Sequence, residues 1–157
     1  MAPTDYFLKI DGIPGESPDS KHKQEIEVIS FSWSVSRHEG KPRVTDFKIV
    51  KAVDKASPLL VQNAIECASL RAASFVARKG GSRPLEYLKL TMKEAYVTSV
   101  SPTSGPAGNE LPLETVTLGF KTAELSVASQ KADGSLDAFV TTVIDPSTGG
   151  CAKDDER

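Results

Sequence analysis

Apolar and polar residues alternate along most of the chain, which is the pattern of β-strands that bury one face. The alternation predicts a first strand over 6–10 and, after a segment rich in Gly, Pro, Ser and Asp, a second strand over about 25–36. Further strands are predicted over 44–53, 72–79, 85–102, 113–130 and 136–144. About seven strands with short turns between them indicate an antiparallel sandwich or barrel.

The second predicted strand changes the phase of its own alternation. Ile26 and Val28 are apolar on even numbers, whereas the following apolar residues are odd: Ile29, Phe31, Trp33 and Val35. The even positions then become a row of serines: Ser30, Ser32, Ser34 and Ser36. A phase slip is typical of a β-bulge, which we place near 28–29. The slip predicts a core-facing row of the four odd residues and an opposite face of bare hydroxyls.

One segment, 57–70, has the apolar spacing of a helix. Ser57 is a good N-cap, and Pro58 suits the first helical position because it lacks a donor that would have no partner there. The predicted apolar face consists of Leu60, Ala64, Cys67 and Ala68.

The two longest alternating runs, 85–102 and 113–130, exceed a usual strand, so we expect them to bend and to serve both sheets. Asp133-Gly134 predicts a hairpin turn after the second of these runs. The predicted fold class is therefore mainly β: an antiparallel two-sheet β-barrel with one short flanking α-helix. We expect a single domain over 1–144 and a flexible tail over 145–157.

Composition narrows the classes of function. The chain has 157 residues, 39% of them hydrophobic, and a formal net charge of -2, which is ordinary for a globular protein. The balance of charge lacks the basic excess of a nucleic-acid binder. Neither an apolar run near the start nor a long apolar segment elsewhere is present, which predicts an intracellular protein without signal peptide or membrane insertion.

The sequence contains no recognisable motif of catalytic or metal-binding residues. His22 and His38 stand in charged stretches, where we expect solvated loop histidines without metal-ligand spacing. A G-x-S-x-G elbow and a phosphate loop are absent. The aromatic residues follow strand periodicity and are expected in the core: Phe31, Trp33, Phe47, Phe75, Tyr87, Phe120 and Phe139. We therefore expect neither an enzyme nor a cofactor or metal.

Several motifs resemble one known family in order. The stretch over 7–36, "FLKIDGIPGESPDSKHKQEIEVISFSWSVS", is similar to the opening of the Hcp family, the tube protein of bacterial type VI secretion systems. The similarity continues through "VDKASP", "ARKGG", "LEYLKLTMKEAYVTSVS", "LETVTLGFKTAELSV" and "QKADGS". It thus extends over most of residues 5 to about 140.

The resemblance implies a two-sheet β-barrel that assembles as a homohexameric ring with a central channel. Rings of the family stack into the inner tube of a contractile injection machine, and some hold small effector proteins inside. The implied partners are other copies of the chain, the sheath, the baseplate and spike proteins, and small effectors. The implied location is the cytoplasm before firing and the outside or the target cell afterwards, without a signal peptide.

Three departures from the family pattern accompany the resemblance. The segment after Ser36 looks shorter than the family's extended loop, which makes tube growth a separate question from ring formation. The end of the chain lacks the usual Gly-Trp-containing strand, and nothing like an appended toxin domain follows the barrel. We therefore expect a structural member of the family rather than an effector-bearing one.

Two sets of functional residues are predicted. Ser30, Ser32 and Ser34 are expected to line the channel and contact effectors, although a solvent-exposed face of an ordinary barrel would look the same. The residues expected at ring or stacking contacts are Arg37, His38, Lys41, Arg43, Asn109 and Glu110.

Two other classes stay open at this point. A monomeric small β-barrel could bind a small ligand or protein in its mouth, although a core filled with aromatic side chains speaks against it. A hydrolase-like site assembled from distant loops would need a cleft with convergent polar groups.

Overall fold

The computed structural model describes residues 4–80, 83–104 and 111–145. Within these ranges the chain forms eleven strands and one helix, so several predicted strands are divided. The strands are β1 Thr4–Ile10, β2 Ile26–Val28, β3 Ser30–Ser32, β4 Val35–His38, β5 Lys41–Val44, β6 Phe47–Ala52, β7 Leu70–Lys79, β8 Leu85–Thr103, β9 Leu113–Gly119, β10 Thr122–Val127 and β11 Val140–Ile144. The helix, α1, is Ser57–Glu66.

Two antiparallel sheets share the long strand β8. The first sheet has the order β2-β1-β7-β8-β10-β11, and the second has the order β3-β6-β9-β8. The predicted fold class, mainly β with two antiparallel sheets and one helix in the described ranges, is confirmed. A small third sheet consists of β4 and β5 alone.

Strand β8 passes from one sheet to the other at a sharp bend. Its pairing with β7 ends at Ala95, and its pairing with β9 begins at Tyr96. Glu94, just before this change, has a backbone φ of 49°, in the left-handed region that side chains other than glycine rarely adopt. The prediction that this long run bends and serves both sheets is confirmed.

The chain crosses between the sheets a second time at the predicted phase slip. β2 pairs with β1 in the first sheet and β3 pairs with β6 in the second, so the residue between them, Ile29, lies at the crossing. The Ile29 N–H donates to the Val50 carbonyl at 2.8 Å. The slip is therefore where the sequence predicted it, but it is a sheet-to-sheet crossover rather than a bulge in one strand. The two sheets do not close into a hydrogen-bonded barrel. The strands at the ends of the order, β2 and β3, pair with β1 and β6 and are joined to each other by the backbone at Ile29.

Two of the four residues predicted to face the core on this segment do so, and two do not. Phe31 and Trp33 pack, partly buried, against the core. Ile29 is 55% exposed because it occupies the crossing, and Val35 is 53% exposed because it lies on the separate β4–β5 pair.

The core lies between the two sheets and is filled with aromatic and aliphatic side chains. The Phe75 ring lies 4.6 Å from that of Phe31 and 5.0 Å from that of Phe47, centroid to centroid. Helix α1 covers the core with Leu60, which is fully buried. Phe139 is exposed, contrary to expectation, because it precedes the edge strand β11.

The helix is shorter than predicted and begins differently. It ends at Glu66, and Cys67 follows in the left-handed conformation at φ 50°, exposed rather than on the buried face. The residue at the N-cap position is Ala56, and Ser57 is the first helical residue. Ser57 does not cap the helix because its hydroxyl points to the buried carboxylate of Glu114.

The C-terminal strands also depart from their predicted bounds. The run over 113–130 is two strands, β9 and β10, interrupted at 120–121, and the strand predicted over 136–144 begins only at Val140. The turn at Asp133-Gly134 forms as predicted, with Gly134 at φ 92° and its N–H donating to the Lys131 carbonyl at 2.9 Å.

Candidate functional site

The outward face of the second sheet carries hydroxyl side chains on three of its four strands. Residues paired across antiparallel strands place their side chains on the same face, so the register sorts this face into two rows. One row is Ser32, Lys48, Thr117 and Ser99, and the next is Ser30, Val50, Thr115 and Ser101. We call these eight residues the hydroxyl face.

The alternation of burial confirms which way this face points. The four serines and Lys48 are exposed, and the two threonines and Val50 are half-buried. The intervening residues Ile49, Val116 and Leu118 are fully buried in the core. Lys48 is thus the single charged side chain among the eight residues.

An aromatic ring bounds the hydroxyl face at one end. Tyr96 pairs with Gly119, and a Cβ atom at Gly119 would lie 2.5 Å from a ring carbon of Tyr96. Glycine at this position lets the Tyr96 ring lie directly across the strand, and a larger residue would displace the ring.

An acidic group lies at the same end of the sheet. The Thr98 hydroxyl, in the bulge of β8, has two acceptors for its single hydrogen, the Thr117 carbonyl at 3.1 Å and the Asp46 carboxylate at 3.3 Å. Loss of hydration raises the pKa of the Asp46 carboxyl, against the effect of the Thr98 hydroxyl. Asp46 is thus engaged with the bulge.

Two of the three serines predicted to line a channel lie on the hydroxyl face. Ser30 and Ser32 project from β3, whereas Ser34 lies beyond its end. The Ser34 N–H donates to the Thr45 hydroxyl at 2.7 Å, and the Thr45 N–H donates to the Ser34 carbonyl at 2.9 Å. Ser34 therefore fastens the base of the β4–β5 hairpin, although it too is exposed.

The β4–β5 hairpin stands apart from the two large sheets. Its strands pair only with each other among the described strands. Glu39 and Gly40 form its turn with φ of 52° and 79°, the signature of a two-residue type I′ turn. Arg37 donates to the Gly40 carbonyl at 2.7 Å.

Four of the predicted contact residues lie on this hairpin, and two cannot be placed. Arg37, His38, Lys41 and Arg43 are all exposed on it. Asn109 and Glu110 lie outside the described residues. The structure therefore gathers the first four on one projecting element.

A buried ion pair that sequence reasoning missed lies behind the hydroxyl face. Lys51 is 0% exposed and Glu114 is 2% exposed, and the Lys51 ammonium lies 2.5 Å from the Glu114 carboxylate. Lys51 also donates to Asp54 at 2.8 Å, and the Ser57 hydroxyl donates to Glu114 at 2.6 Å. This cluster joins β6, α1 and β9. The signal was available, because Lys51 follows Phe47 and Ile49 on the inward-facing positions of its strand.

His22 is buried, so the expectation of a solvated loop histidine is wrong for it. Its ring is 6% exposed and stacks on Phe7 at 4.3 Å between centroids. Nδ1 lies 3.0 Å from the Glu25 carboxylate and Nε2 lies 2.7 Å from that of Glu86. His38 is exposed, as expected. The buried ring fastens the segment over 11–25 to the first sheet.

Arg78 anchors the same segment through a salt bridge. Its guanidinium contacts the Asp19 carboxylate at 2.7 Å and that of Asp5 at 3.1 Å. The hydrogen bonds from Arg78 hold the pKa of Asp19 well below its usual range, and Asp19 in turn raises the pKa of Arg78.

None of these three clusters has the composition of a metal centre. In the ranges that the structure describes, His, Cys, Asp and Glu side chains form no group of three or more able to hold a metal ion. The described helix is too short and too polar to cross a membrane. The described residues thus form a two-sheet β protein whose outward faces differ in chemistry.

Comparison with known proteins identifies the family. The family model described as type VI secretion system effector, Hcp, matches residues 7–127. Protein hcp1 of Pseudomonas aeruginosa is 37% identical over 144 residues, covering 85% of this chain and 88% of that protein.

Solved structures agree with this match. Hcp1 of Salmonella typhimurium is 38% identical, with a TM-score of 0.76 over 96% of this chain and 99% of that one. A type VI secretion system effector from Yersinia pestis is 33% identical, with a TM-score of 0.78 over 90% and 99%. The chain belongs to the Hcp family. It is a structural protein of type VI secretion and not an enzyme.

Proposed function

We propose that the protein forms six-membered rings that stack into the inner tube of a type VI secretion system. The hydroxyl face lines the channel of each ring and contacts the small effector proteins carried there. The observation that carries this proposal is the hydroxyl face itself, since six of its eight side chains are Ser or Thr. Small hydroxyls keep a channel wide and wet and do not hold a passing protein by strong apolar or ionic contacts.

The contrast with the first sheet supports this orientation. The outward face of the first sheet carries the exposed charges of Lys89, Lys93 and Glu124 among the hydroxyl side chains Thr91, Thr122 and Ser126. Part of it is also covered by the segment over 11–25, through His22 and Arg78. The hydroxyl face therefore suits the channel, and the charged face suits the outside of the ring.

The position of the β4–β5 hairpin at one end of the second sheet supports head-to-tail stacking. The β4–β5 hairpin joins β3 to β6 at the end of the second sheet where Phe47 pairs with Leu118. The end of β8 and the start of β9 lie at the opposite end, where Leu113 pairs with both Ala52 and Thr103. A ring built with this sheet along the channel presents the hairpin on one rim and Thr103 and Leu113 towards the other.

The proposed partners and location follow from this role. The partners are further copies of the chain, the sheath, the baseplate and spike proteins, and small effectors. The protein is held in the cytoplasm before firing and is then released by the machine to the outside or into the target cell.

The absolute mass in solution tests the ring. Light scattering after size exclusion, at several concentrations, should give six times 16.8 kDa, about 101 kDa. A mass of 16.8 kDa at every concentration would refute the ring and favour a monomeric binding barrel.

A substitution on the hydroxyl face tests its contact with effectors. Ser32→Gln should leave the mass of the ring unchanged and weaken retention of a small effector protein of the same secretion system, measured by co-elution. The larger side chain projects into the proposed channel. Ser69→Gln, at an exposed serine outside both sheets, is the matched control. Undiminished retention by the Ser32→Gln ring would contradict the proposal.

A further inference from the structure

The hydroxyl face includes one charged residue, Lys48, and the proposed lining of the channel by small hydroxyls does not explain it. It lies between Ser32 on β3 and Thr117 on β9, in the middle of one row. Its side chain is exposed, and in the part of the chain that the structure describes its ammonium has no hydrogen-bond or ion-pair partner. The next lysine on the strand, Lys51, is fully buried and paired.

Among the described residues, no carboxylate forms an ion pair with Lys48. The nearest acidic residue along the chain, Asp46, has its carboxylate engaged with the Thr98 hydroxyl. The paired neighbours of Lys48 and the second row contribute hydroxyls and one valine. An ammonium flanked by hydroxyl donors attracts an anionic group, because both supply hydrogen-bond donors and the ammonium adds charge.

We infer that Lys48 selects partners with an acidic surface, so that the cargo of the hydroxyl face is a protein that presents Asp and Glu side chains. This inference rests on the proposed ring. Six-fold symmetry would place six copies of Lys48 at one level of the channel. One exposed ion pair contributes little, but several lysines acting on one partner add their effects within a single binding event.

An acidic protein fits the face better than a nucleic acid does. The chain as a whole carries a net charge of -2, whereas nucleic-acid sites gather many Lys and Arg side chains against the phosphates. The hydroxyl face also lacks a row of aromatic side chains for stacked bases, since none of its eight residues is aromatic and Tyr96 contributes one ring at its end. The carboxylates of an acidic protein are spaced apart on its surface, so single lysines can pair with them one at a time.

Fluorescence anisotropy with defined probes tests the inference on the full chain. The probes are a labelled peptide of alternating Glu and Ser, the same peptide with Gln for Glu, and a single-stranded oligonucleotide of equal charge. Each is titrated with the wild type, Lys48→Gln, Lys48→Arg and the control Lys93→Gln, an exposed lysine on the first sheet. Light scattering of each sample reports whether rings are present.

The wild-type ring should bind the acidic peptide more tightly than either other probe, and less tightly as salt is raised. Lys48→Gln should weaken binding by about two- to fivefold for each lysine that the peptide contacts. Lys48→Arg and Lys93→Gln should stay within about twofold of the wild type.

Three results would overturn the inference. Equal binding by wild-type and Lys48→Gln rings removes the role of Lys48 while leaving the ring proposal intact. Preference for the oligonucleotide identifies a nucleic-acid surface instead. A monomeric mass for the wild type overturns the ring and, with it, this inference.

Discussion

The ion pair between Lys51 and Glu114 has almost no contact with water. Removing only one of the two charges strongly lowers the free energy of unfolding, because the other charge stays buried without its partner. Removing the ammonium leaves the Glu114 carboxylate in the core with the Ser57 hydroxyl as its remaining partner. Removing both charges avoids that penalty. The pair thus fixes how β6, α1 and β9 pack together. A double-mutant cycle measures the interaction energy between the two side chains.

Lys51→Met should lower the free energy of unfolding by about 3–5 kcal/mol. Lys51→Met combined with Glu114→Gln should recover part of this loss, because the introduced amide is neutral and still accepts the Ser57 hydrogen bond. Asp54 keeps the hydrogen bond from the Ala56 N–H but loses the ammonium. Urea denaturation measures both. Lys48→Met, at the exposed lysine of the same strand, should stay within about 0.5 kcal/mol of the wild type. A double variant as unstable as the single one would contradict this account.

The salt bridge between Asp19 and Arg78 predicts a pH dependence. Because the fold lowers the pKa of Asp19, its contribution is present above the carboxyl's unfolded pKa of about 3.9 and is lost as the pH falls below that value. Asp19→Asn should cost about 1.5–3 kcal/mol at pH 7, and the difference from the wild type should shrink at pH 3. Urea denaturation at both pH values measures this. Asp11→Asn, at an exposed residue of the same segment, is the control; a difference that does not change with pH would contradict the prediction.

Strand β8 belongs to both sheets because its backbone turns at Glu94. The left-handed φ of 49° at this residue is strained for an amino acid with a Cβ. The Glu94–Lys121 ion pair, at 3.6 Å with both side chains mostly exposed, offsets little of that strain. The bend is therefore imposed by the two sheets rather than favoured locally.

Glycine should be tolerated at this bend although it weakens ordinary strands. Glu94→Gly should leave the free energy of unfolding unchanged or raise it by up to about 1 kcal/mol, because glycine adopts positive φ freely. Glu94→Val should lower it by about 1–3 kcal/mol. Glu124→Gly, on β10, is the control and should cost about 1 kcal/mol. Equal losses for the two glycine variants, measured by thermal and urea denaturation, would show that the bend carries no strain.

Elements with strong local signals were predictable, and those decided by distant partners were not. The first strand, the start of the helix and the Asp133-Gly134 turn follow from alternation, Pro58 and turn chemistry. The division of the segment over 25–36 depends on whether β1 or β6 pairs with each part. His22 is buried because it meets Glu86, 64 residues away in the chain.

The candidate site was predictable along one strand only. Alternation identified Ser30 and Ser32 on an outward face. Their neighbours across the sheet, such as Thr117 and Ser99, become part of that face only through the register of β3, β6, β9 and β8. Local periodicity cannot supply that register, because the paired residues lie far apart in the chain.

At the scale of the molecule, the surfaces differ in chemistry. The second sheet presents hydroxyls with one lysine, and the first sheet presents hydroxyls mixed with several charges of both signs. The hairpin presents three cations and one acid: Arg37, Lys41, Arg43 and Glu39. A two-stranded hairpin without a third strand is marginally stable in water. Contact with a neighbouring molecule would therefore stabilise this hairpin, which is consistent with its proposed place on a rim of the ring.

Reversing the hairpin's charge should separate stacking from ring formation. The triple variant Arg37→Glu, Lys41→Glu and Arg43→Glu should keep a mass of six subunits, about 101 kDa, because the three side chains lie outside both sheets. The concentration needed for tube assembly should rise by at least about tenfold, since like charges brought together at an interface cost several kcal/mol. Sedimentation and electron microscopy across a concentration series measure both properties.

The matched control for this variant moves the same charges elsewhere. Lys21→Glu, Lys23→Glu and Lys131→Glu change three exposed lysines outside the hairpin and shift the net charge equally. If stacking depends on the hairpin, the control assembles like the wild type while the hairpin variant remains as single rings. Equal loss of tubes in both variants would mean that net charge, rather than the hairpin, governs stacking. Loss of the six-subunit mass in the hairpin variant alone would instead assign the hairpin to contacts within the ring.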